Sequence, residues 1–241
     1  MNPPRISAGD ALFLDLDGTL VGIAPTPDAV RPASHLGALL ESASRHVRSA
    51  LAIVSGRPIR QIDSMLAPLA LPAAGLHGLE RRSAGGAYTP PPALPRYDEL
   101  RAALGSFAAG RPGLLLEDKG AALALHYRAR PELEAEAAAA VEAALGGVRG
   151  GIAVQHGKAV IELRPEGADK GAAVTAFMSE PPFAGRRPVF TGDDITDEAA
   201  FRAVRQRGGV TVRVGREGAT AAEWRLADVA AVHAWLADLE G

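Results

Sequence analysis

Ala11-Leu12-Phe13-Leu14 is an apolar run that ends abruptly at Asp15 and Gly18. Runs this short, bounded by turn residues, read as strands buried on both faces. A second run, Ser49 to Val54, stops in the same way at Ser55-Gly56-Arg57. Between them, Ala33 to Arg48 carries leucine and alanine at near-helical spacing. The segment therefore predicts a strand, helix, strand unit with right-handed parallel pairing. Near the other end, Pro188-Val189-Phe190 leads into Thr191-Gly192-Asp193-Asp194, and a helix is predicted over Asp197 to Arg205. Val210 to Val214 reads as a further strand, and Ala221 to Trp224 and Val229 to Leu239 read as helical. Together these describe a parallel α/β core.

The middle of the chain reads differently. Residues 83–97 hold a glycine pair and Pro90, Pro91, Pro92 and Pro95, as a linker or hairpin would. A helix is predicted near 98–109, a strand of polar alternation at 114–128, an alanine-rich helix at 131–145 and a second alternating strand at 152–163. Alternation suits an open antiparallel sheet with helices on one face. The expected organisation is a core in two parts, 1–97 and 165–241, with an α+β layer inserted at 98–164.

Composition closes off several classes of function. The 241 residues include no cysteine, which excludes disulfides, thiolate zinc sites and cysteine nucleophiles. A formal net charge of -2 offers no bulk attraction for nucleic acid or an anionic membrane. The apolar runs fall short of the ~20 residues a membrane helix needs. The N-terminus lacks the basic start and long apolar core of a secretory signal. A cytoplasmic monomer without nucleic-acid or membrane partners is the expectation.

Ligands of parallel α/β sheets bind outside the carboxyl ends of the strands. Asp15 with Asp17, Ser55, and Asp193 with Asp194 all fall at that edge, and Lys170 in Gly167-Ala168-Asp169-Lys170-Gly171 joins them as a candidate. An i, i+2 acid pair leaving a strand can aim both carboxylates one way. Such a pair repels unless a cation intervenes, and magnesium is hard, prefers oxygen and tolerates few protein carboxylates. Ser55 can donate its hydroxyl to a phosphate oxygen, while the backbone N–H groups of Gly56 and Arg57 open a helix N-terminus suited to anions. A lysine beside the phosphate would neutralise charge on the transferring group. Taken singly, each signal has a plainer reading. The aspartates could be turn formers, Ser55 an N-cap and Lys170 a solvated side chain.

The four signals occur in the order and spacing of the haloacid dehalogenase superfamily. Asp15-Leu16-Asp17-Gly18-Thr19-Leu20 matches its first motif, Ser55 its second, Lys170 its third and Gly192-Asp193-Asp194 its fourth. Within it the chain resembles the trehalose-6-phosphate phosphatases. The likeness is carried by Val54-Ser55-Gly56-Arg57, Gly75-Leu76-His77-Gly78-Leu79-Glu80, Glu117-Asp118-Lys119-Gly120 and Leu125-His126-Tyr127-Arg128. It continues in Gly157 to Pro165 and in Gly192 to Glu198. Leu16 stands where an aromatic is common in that family.

The resemblance implies an α/β fold, a parallel-sheet Rossmann-like hydrolase core with an inserted α+β cap. It implies that Asp15 attacks phosphorus to form an aspartyl-phosphate. Asp17 would serve as general acid and then general base. Magnesium would be held by Asp15, the backbone carbonyl of Asp17, Asp193 and Asp194. Ser55, Gly56, Arg57 and Lys170 would hold the phosphate. Glu117, Lys119, His126, Arg128, Lys158 and Glu162 on the cap would read the glucose rings, with His77 and Glu80 also facing the sugar, and cap closure would complete the pocket. A phosphatase for another sugar phosphate, such as sucrose-6-phosphate or a mannosyl phosphate, shares the catalytic residues and differs in the cap. A catalytically dead scaffold that docks a synthase need not keep Asp15, Asp17, Lys170 and Asp193 together.

Overall fold

The computed structural model describes residues 3–24, 26, 29–147, 149–167, 169–215 and 218–240. The chain forms two compact units, one of Met1–Pro90 with Ala168–Gly241 and the other of Pro91–Gly167. Among the described residues no helix is long and apolar enough to cross a membrane.

The first unit is built on an eight-stranded sheet. Its strands are β1 (Asp10–Leu14), β2 (Leu51–Val54), β3 (Ala73–Gly75), β4 (Glu80–Arg82) and β5 (Tyr88–Thr89), then β10 (Arg187–Gly192), β11 (Val210–Val214) and β12 (Trp224–Leu226). The order across the sheet is β12-β11-β10-β1-β2-β3-β4-β5. Pairing is parallel from β12 to β3 and antiparallel at β4 and β5. From the central β1/β10 pair the chain winds outward both ways, through β2 to β3 and through β11 to β12. The switch point of this doubly wound sheet therefore lies between β1 and β10, where ligands bind beyond the strand ends. Strands β1 and β2 are buried at every position, which is why unbroken apolar runs encode them.

The helices of this unit are α1 (Leu36–His46), α2 (Ile59–Leu66), α5 (Lys170–Phe177), α6 (Glu198–Arg205) and α7 (Val229–Ala237). Helix α1 packs on α7 and α5 on α6. Helix α1 buries Leu36, Leu40 and Ala43, the i, i+4, i+7 stripe of an amphipathic helix. Phe13 of β1 lies 6.0 Å from Phe177 of α5 and 5.4 Å from Phe183, ring centroid to centroid. Fully burying side chains of this size stabilises by about 1.5–3 kcal/mol each. The cluster also seats α5 against β1, and so brings Lys170 to the end of the strand that carries Asp15.

The expected helix at Ala221 to Trp224 does not form. Glu198 accepts the Ala221 N–H at 2.8 Å and the Thr220 hydroxyl at 2.6 Å, so that stretch is tied to an acid. Trp224–Leu226 then pairs in parallel with β11. Helix α7 begins only after Asp228, whose carboxylate caps Ala231 N at 2.9 Å.

The second unit holds α3 (Tyr97–Ala109), β6 (Leu115–Asp118), β7 (Leu123–His126), α4 (Glu134–Leu145), β8 (Ile152–Gly157) and β9 (Val160–Pro165). Its sheet is antiparallel throughout, in the order β6-β7-β9-β8. Both long alternating strands expected here are hairpins. The first reverses at Lys119-Gly120, with Gly120 at φ 86°, and the second at Lys158-Ala159, with Ala159 at φ 60°. Period-two alternation carries across a tight turn, so the pattern alone does not mark the reversal. Leu123, Leu125, Ile161 and Leu163 meet Leu100 and Leu104 of α3 and Val141 of α4 in one core.

Candidate active site

Asp15 follows β1 directly and is 3% exposed. Its N–H donates to Thr191 O across the switch point at 2.9 Å. Lys170 Nζ, at the start of α5, donates to Asp15 Oδ1 at 2.7 Å and to Asp197 Oδ1 at 2.6 Å. Thr19 Oγ1 donates to the other Asp15 oxygen at 3.2 Å. Carboxylate oxygens of Asp15, Asp193 and Asp197 all lie within 4.8 Å of one another. Gly18, at φ 81°, sits against this group, and a Cβ there would stand 2.1 Å from Asp193 Oδ2. Any other residue at that position would push Asp193 out of the cluster.

Three acids around one ammonium leave an excess of negative charge. Burial, then repulsion from Asp197 and Asp193, pushes the Asp15 carboxyl well above the usual range despite Lys170. Burial and the charges of Asp197 and Asp194 push Asp193 up to about 7. Burial alone would lower Lys170, but Asp15 and Asp197 outweigh it and hold the ammonium charged. A buried all-oxygen set with surplus negative charge fits a hard divalent cation.

Sequence reasoning misses Asp197 and puts Asp194 in its place as a metal ligand. The Asp194 carboxylate is instead used as a helix cap, accepting Ile195 N at 2.8 Å, while Asp194 N donates to Asp197 Oδ2 at 2.9 Å. This reciprocal capping turns Asp194 away from the acid trio and Asp197 into it. One signal was available: Asp193 and Asp197 are spaced i, i+4 and therefore share a face of one helical turn. Arg213, also unforeseen, supports the loop by donating to Asp194 O at 3.1 Å.

Asp17 lies outside the trio. Arg57 clasps both of its oxygens, Nε to Oδ2 at 2.6 Å and Nη2 to Oδ1 at 2.8 Å. Ser55, 1% exposed, accepts the Arg57 N–H on its Oγ at 3.2 Å. The His77 ring packs on Gly56, with Cε1 2.6 Å from where a Cβ would stand. Leu76 and His77 adopt φ of 51° and 57°, left-handed conformations that cost non-glycine residues about 1–2 kcal/mol each. Glu80 does not face outward toward a sugar as expected. It is 5% exposed, and its carboxylate turns inward to Ile59 N and the Tyr88 hydroxyl.

In the second unit the alternation gathers a polar face opposite the helices. Glu117 pairs across Ala124 with Glu162 in register. His126 Nε2 lies 2.8 Å from Glu117 Oε2, and Lys119 Nζ donates to Glu162 Oε1 at 2.7 Å. Burial alone would raise the Glu117 carboxyl, but the His126 hydrogen bond and the Lys119 charge hold it below its ordinary value. Arg128 donates to Lys158 O at 3.2 Å, while the Lys158 residue is exposed on the β8–β9 turn.

A family model described as trehalose-phosphatase matches residues 13–230. A probable trehalose-phosphate phosphatase of Sinorhizobium fredii is 46% identical over 205 residues, covering 85% of this chain and 77% of that protein. The trehalose-6-phosphate phosphatase of Escherichia coli is 42% identical over 236 residues, covering 97% and 87%. Among solved structures, the C-terminal domain of the C. albicans trehalose-6-phosphate phosphatase superposes with a TM-score of 0.85 over 98% of both chains. At 23% identity that likeness speaks for the fold alone.

Proposed function

The chain belongs to the trehalose-phosphatase family, and from that premise we infer that it hydrolyses trehalose 6-phosphate to trehalose and inorganic phosphate. The observation that carries this reading is the buried Asp15–Lys170–Asp197 bridge with Asp193 beside it, at the switch point of the sheet.

Asp15 is the nucleophile. Lys170 fixes one of its oxygens and Thr19 the other, so the carboxylate is aimed before substrate arrives. Asp15 attacks phosphorus in line, and the sugar oxygen leaves as the aspartyl-phosphate forms. Asp17 protonates that oxygen and then takes a proton from the water that hydrolyses the intermediate. The Arg57 clasp on Asp17 must open for this exchange, which frees the guanidinium for the phosphate. The Ser55 Oγ already accepts the Arg57 N–H, so its own proton is directed to a phosphate oxygen. The backbone of Gly56 adds a donor at the start of α2.

Magnesium is the ion we assign to the acid cluster, held by Asp15, Asp193 and the Asp17 backbone carbonyl, with Asp197 adding charge and Asp194 left to its capping role. When bound, it offsets the repulsion between a carboxylate nucleophile and a phosphate of charge about -1.5 to -2.

The sugar-reading role falls to Glu117, Lys119, His126, Glu162 and Arg128, with His77 on the first unit and a lesser part for Lys158. Paired carboxylates and cations can exchange partners for sugar hydroxyls. The boundaries of this cap are proposed at 98 and 164. The catalytic set comes from one chain, which supports a monomer. A sugar phosphate is charged and retained inside cells, which supports a cytoplasmic enzyme.

A panel of sugar phosphates with magnesium tests the reading. Strong preference for trehalose 6-phosphate is expected, and equal turnover of glucose 6-phosphate would refute the disaccharide assignment.

A further inference from the structure

We propose that Glu80, backed by Tyr88, is a positioning residue that holds the Ser55–Ile59 turn in the shape that grips the phosphate. The inference rests on the phosphatase reading above, in which Ser55, Gly56 and Arg57 bind the transferring group.

The turn from Ser55 into α2 is tied three times to the segment from Gly75 to Glu80. Ser55 O accepts the His77 N–H at 2.9 Å, and Arg57 O accepts the Leu76 N–H at 3.1 Å. The third tie is the Ile59 N–H, which donates to Glu80 Oε1 at 2.6 Å. The first N–H groups of a helix have no acceptor within it. Pro58 is the N-cap of α2 and makes no side-chain cap, so Glu80 supplies from a distant strand what a capping serine or aspartate supplies locally.

Glu80 is itself held. Its second oxygen accepts the Tyr88 hydroxyl at 2.5 Å across the β4–β5 hairpin. That bond is the main cause pushing the Tyr88 phenol up to about 12, so it stays a donor at neutral pH. The space is cut to fit. A Cβ on Gly75 would lie 2.6 Å from Glu80 Oε1 and 2.8 Å from both Arg57 O and Ile59 N. The atoms of two ties therefore converge on the one point where only glycine leaves room.

None of these bonds reaches Asp15, Asp193 or Asp197. Loosening the clamp should weaken phosphate binding by Ser55 and Arg57 while leaving the metal cluster as it is. That split distinguishes positioning from a general structural role.

The test uses the full chain as wild type, Glu80→Ala, Glu80→Gln and Tyr88→Phe. The measurements are trehalose 6-phosphate hydrolysis, competitive inhibition by inorganic phosphate, the magnesium concentration at half activation, and thermal unfolding. Glu80→Ala is expected to raise the phosphate inhibition constant roughly tenfold, the scale of one hydrogen bond to a charged group, with magnesium half-activation unchanged. Glu80→Gln keeps an oxygen for the Ile59 N–H and should recover most of the loss, and Tyr88→Phe should weaken phosphate about two- to threefold. Unchanged phosphate inhibition in a folded Glu80→Ala overturns the proposal, as does a Glu80→Gln variant as damaged as the alanine. Should the alanine variant not fold, unchanged inhibition in Tyr88→Phe overturns it equally. A wild-type enzyme inactive on every sugar phosphate would instead refute the phosphatase reading beneath it.

Discussion

In the first unit three carboxylates share one ammonium, Lys170, in a site nearly closed to solvent. In the second unit each carboxylate has its own partner, Glu117 with His126 and Glu162 with Lys119. The first arrangement is incomplete without an added cation, because desolvated like charges raise one another's pKa. The second is close to neutral pair by pair, and can trade a partner for a hydroxyl at small electrostatic cost. One cluster is built to stabilise charge that moves during reaction. The other is built to recognise a neutral sugar.

Changing the nucleophile should separate the two clusters most sharply. Asp15→Asn is expected to lower kcat by at least about ten-thousandfold in a protein that still folds and still binds trehalose 6-phosphate. Appreciable phosphate release by that variant would remove Asp15 from its role. Next in size is Asp197→Asn, which takes one of two anchors from Lys170. A drop of about a hundredfold in kcat is expected, together with a higher magnesium requirement, and a wild-type magnesium titration would show that Asp197 is not part of the cluster's charge.

The cap cluster should respond in a different parameter. Lys119→Ala is expected to raise KM for trehalose 6-phosphate by about tenfold or more, while hydrolysis of p-nitrophenyl phosphate, which has no sugar, stays within about twofold. Equal losses on both substrates would break the distinction between the clusters. Lys158→Ala should have the smallest effect on KM, under about threefold, because the exposed lysine meets the group only through its carbonyl.

The charge surplus also has a pH signature. The Asp193 carboxyl stands at about 7 in the fold against an ordinary 3.8. Its protonated form is therefore favoured by folding, so its contribution is complete below about pH 4 and is lost as pH rises through about 7. Metal-free protein should accordingly melt several degrees lower at pH 8 than at pH 5, by about 5–10 °C. Magnesium should flatten that slope by replacing the proton, and calorimetry with and without the metal would decide it.

Residue order alone places Asp15, Ser55, Lys170 and Asp193 at one sheet edge. Short apolar runs buried on both faces can only be interior strands, and the polar residues that end them lie at the ligand-binding edge. The alternation of the middle segment likewise puts Glu117, Lys119 and His126 on a polar face. Less legible are features where a local pattern has two continuations. Alternation does not register a hairpin, so 114–128 and 152–163 read as single strands. Ala221 to Trp224 has helical composition, but Glu198 engages its backbone from another element.

Asp15 suggests a nucleophile because an acid ends a buried strand, and that much comes from sequence. Which acids surround it is decided only in three dimensions. Lys170 is 155 positions away in the chain and reaches Asp15 because phenylalanine packing seats α5 on β1. Asp194 and Asp197 are similar in sequence, yet one caps a turn and the other joins the cluster. Glu80 looks like a sugar ligand and instead completes a helix end. A carboxylate's type is written in the sequence, but its partner is whichever unsatisfied donor or cation packing leaves within about 3 Å of it.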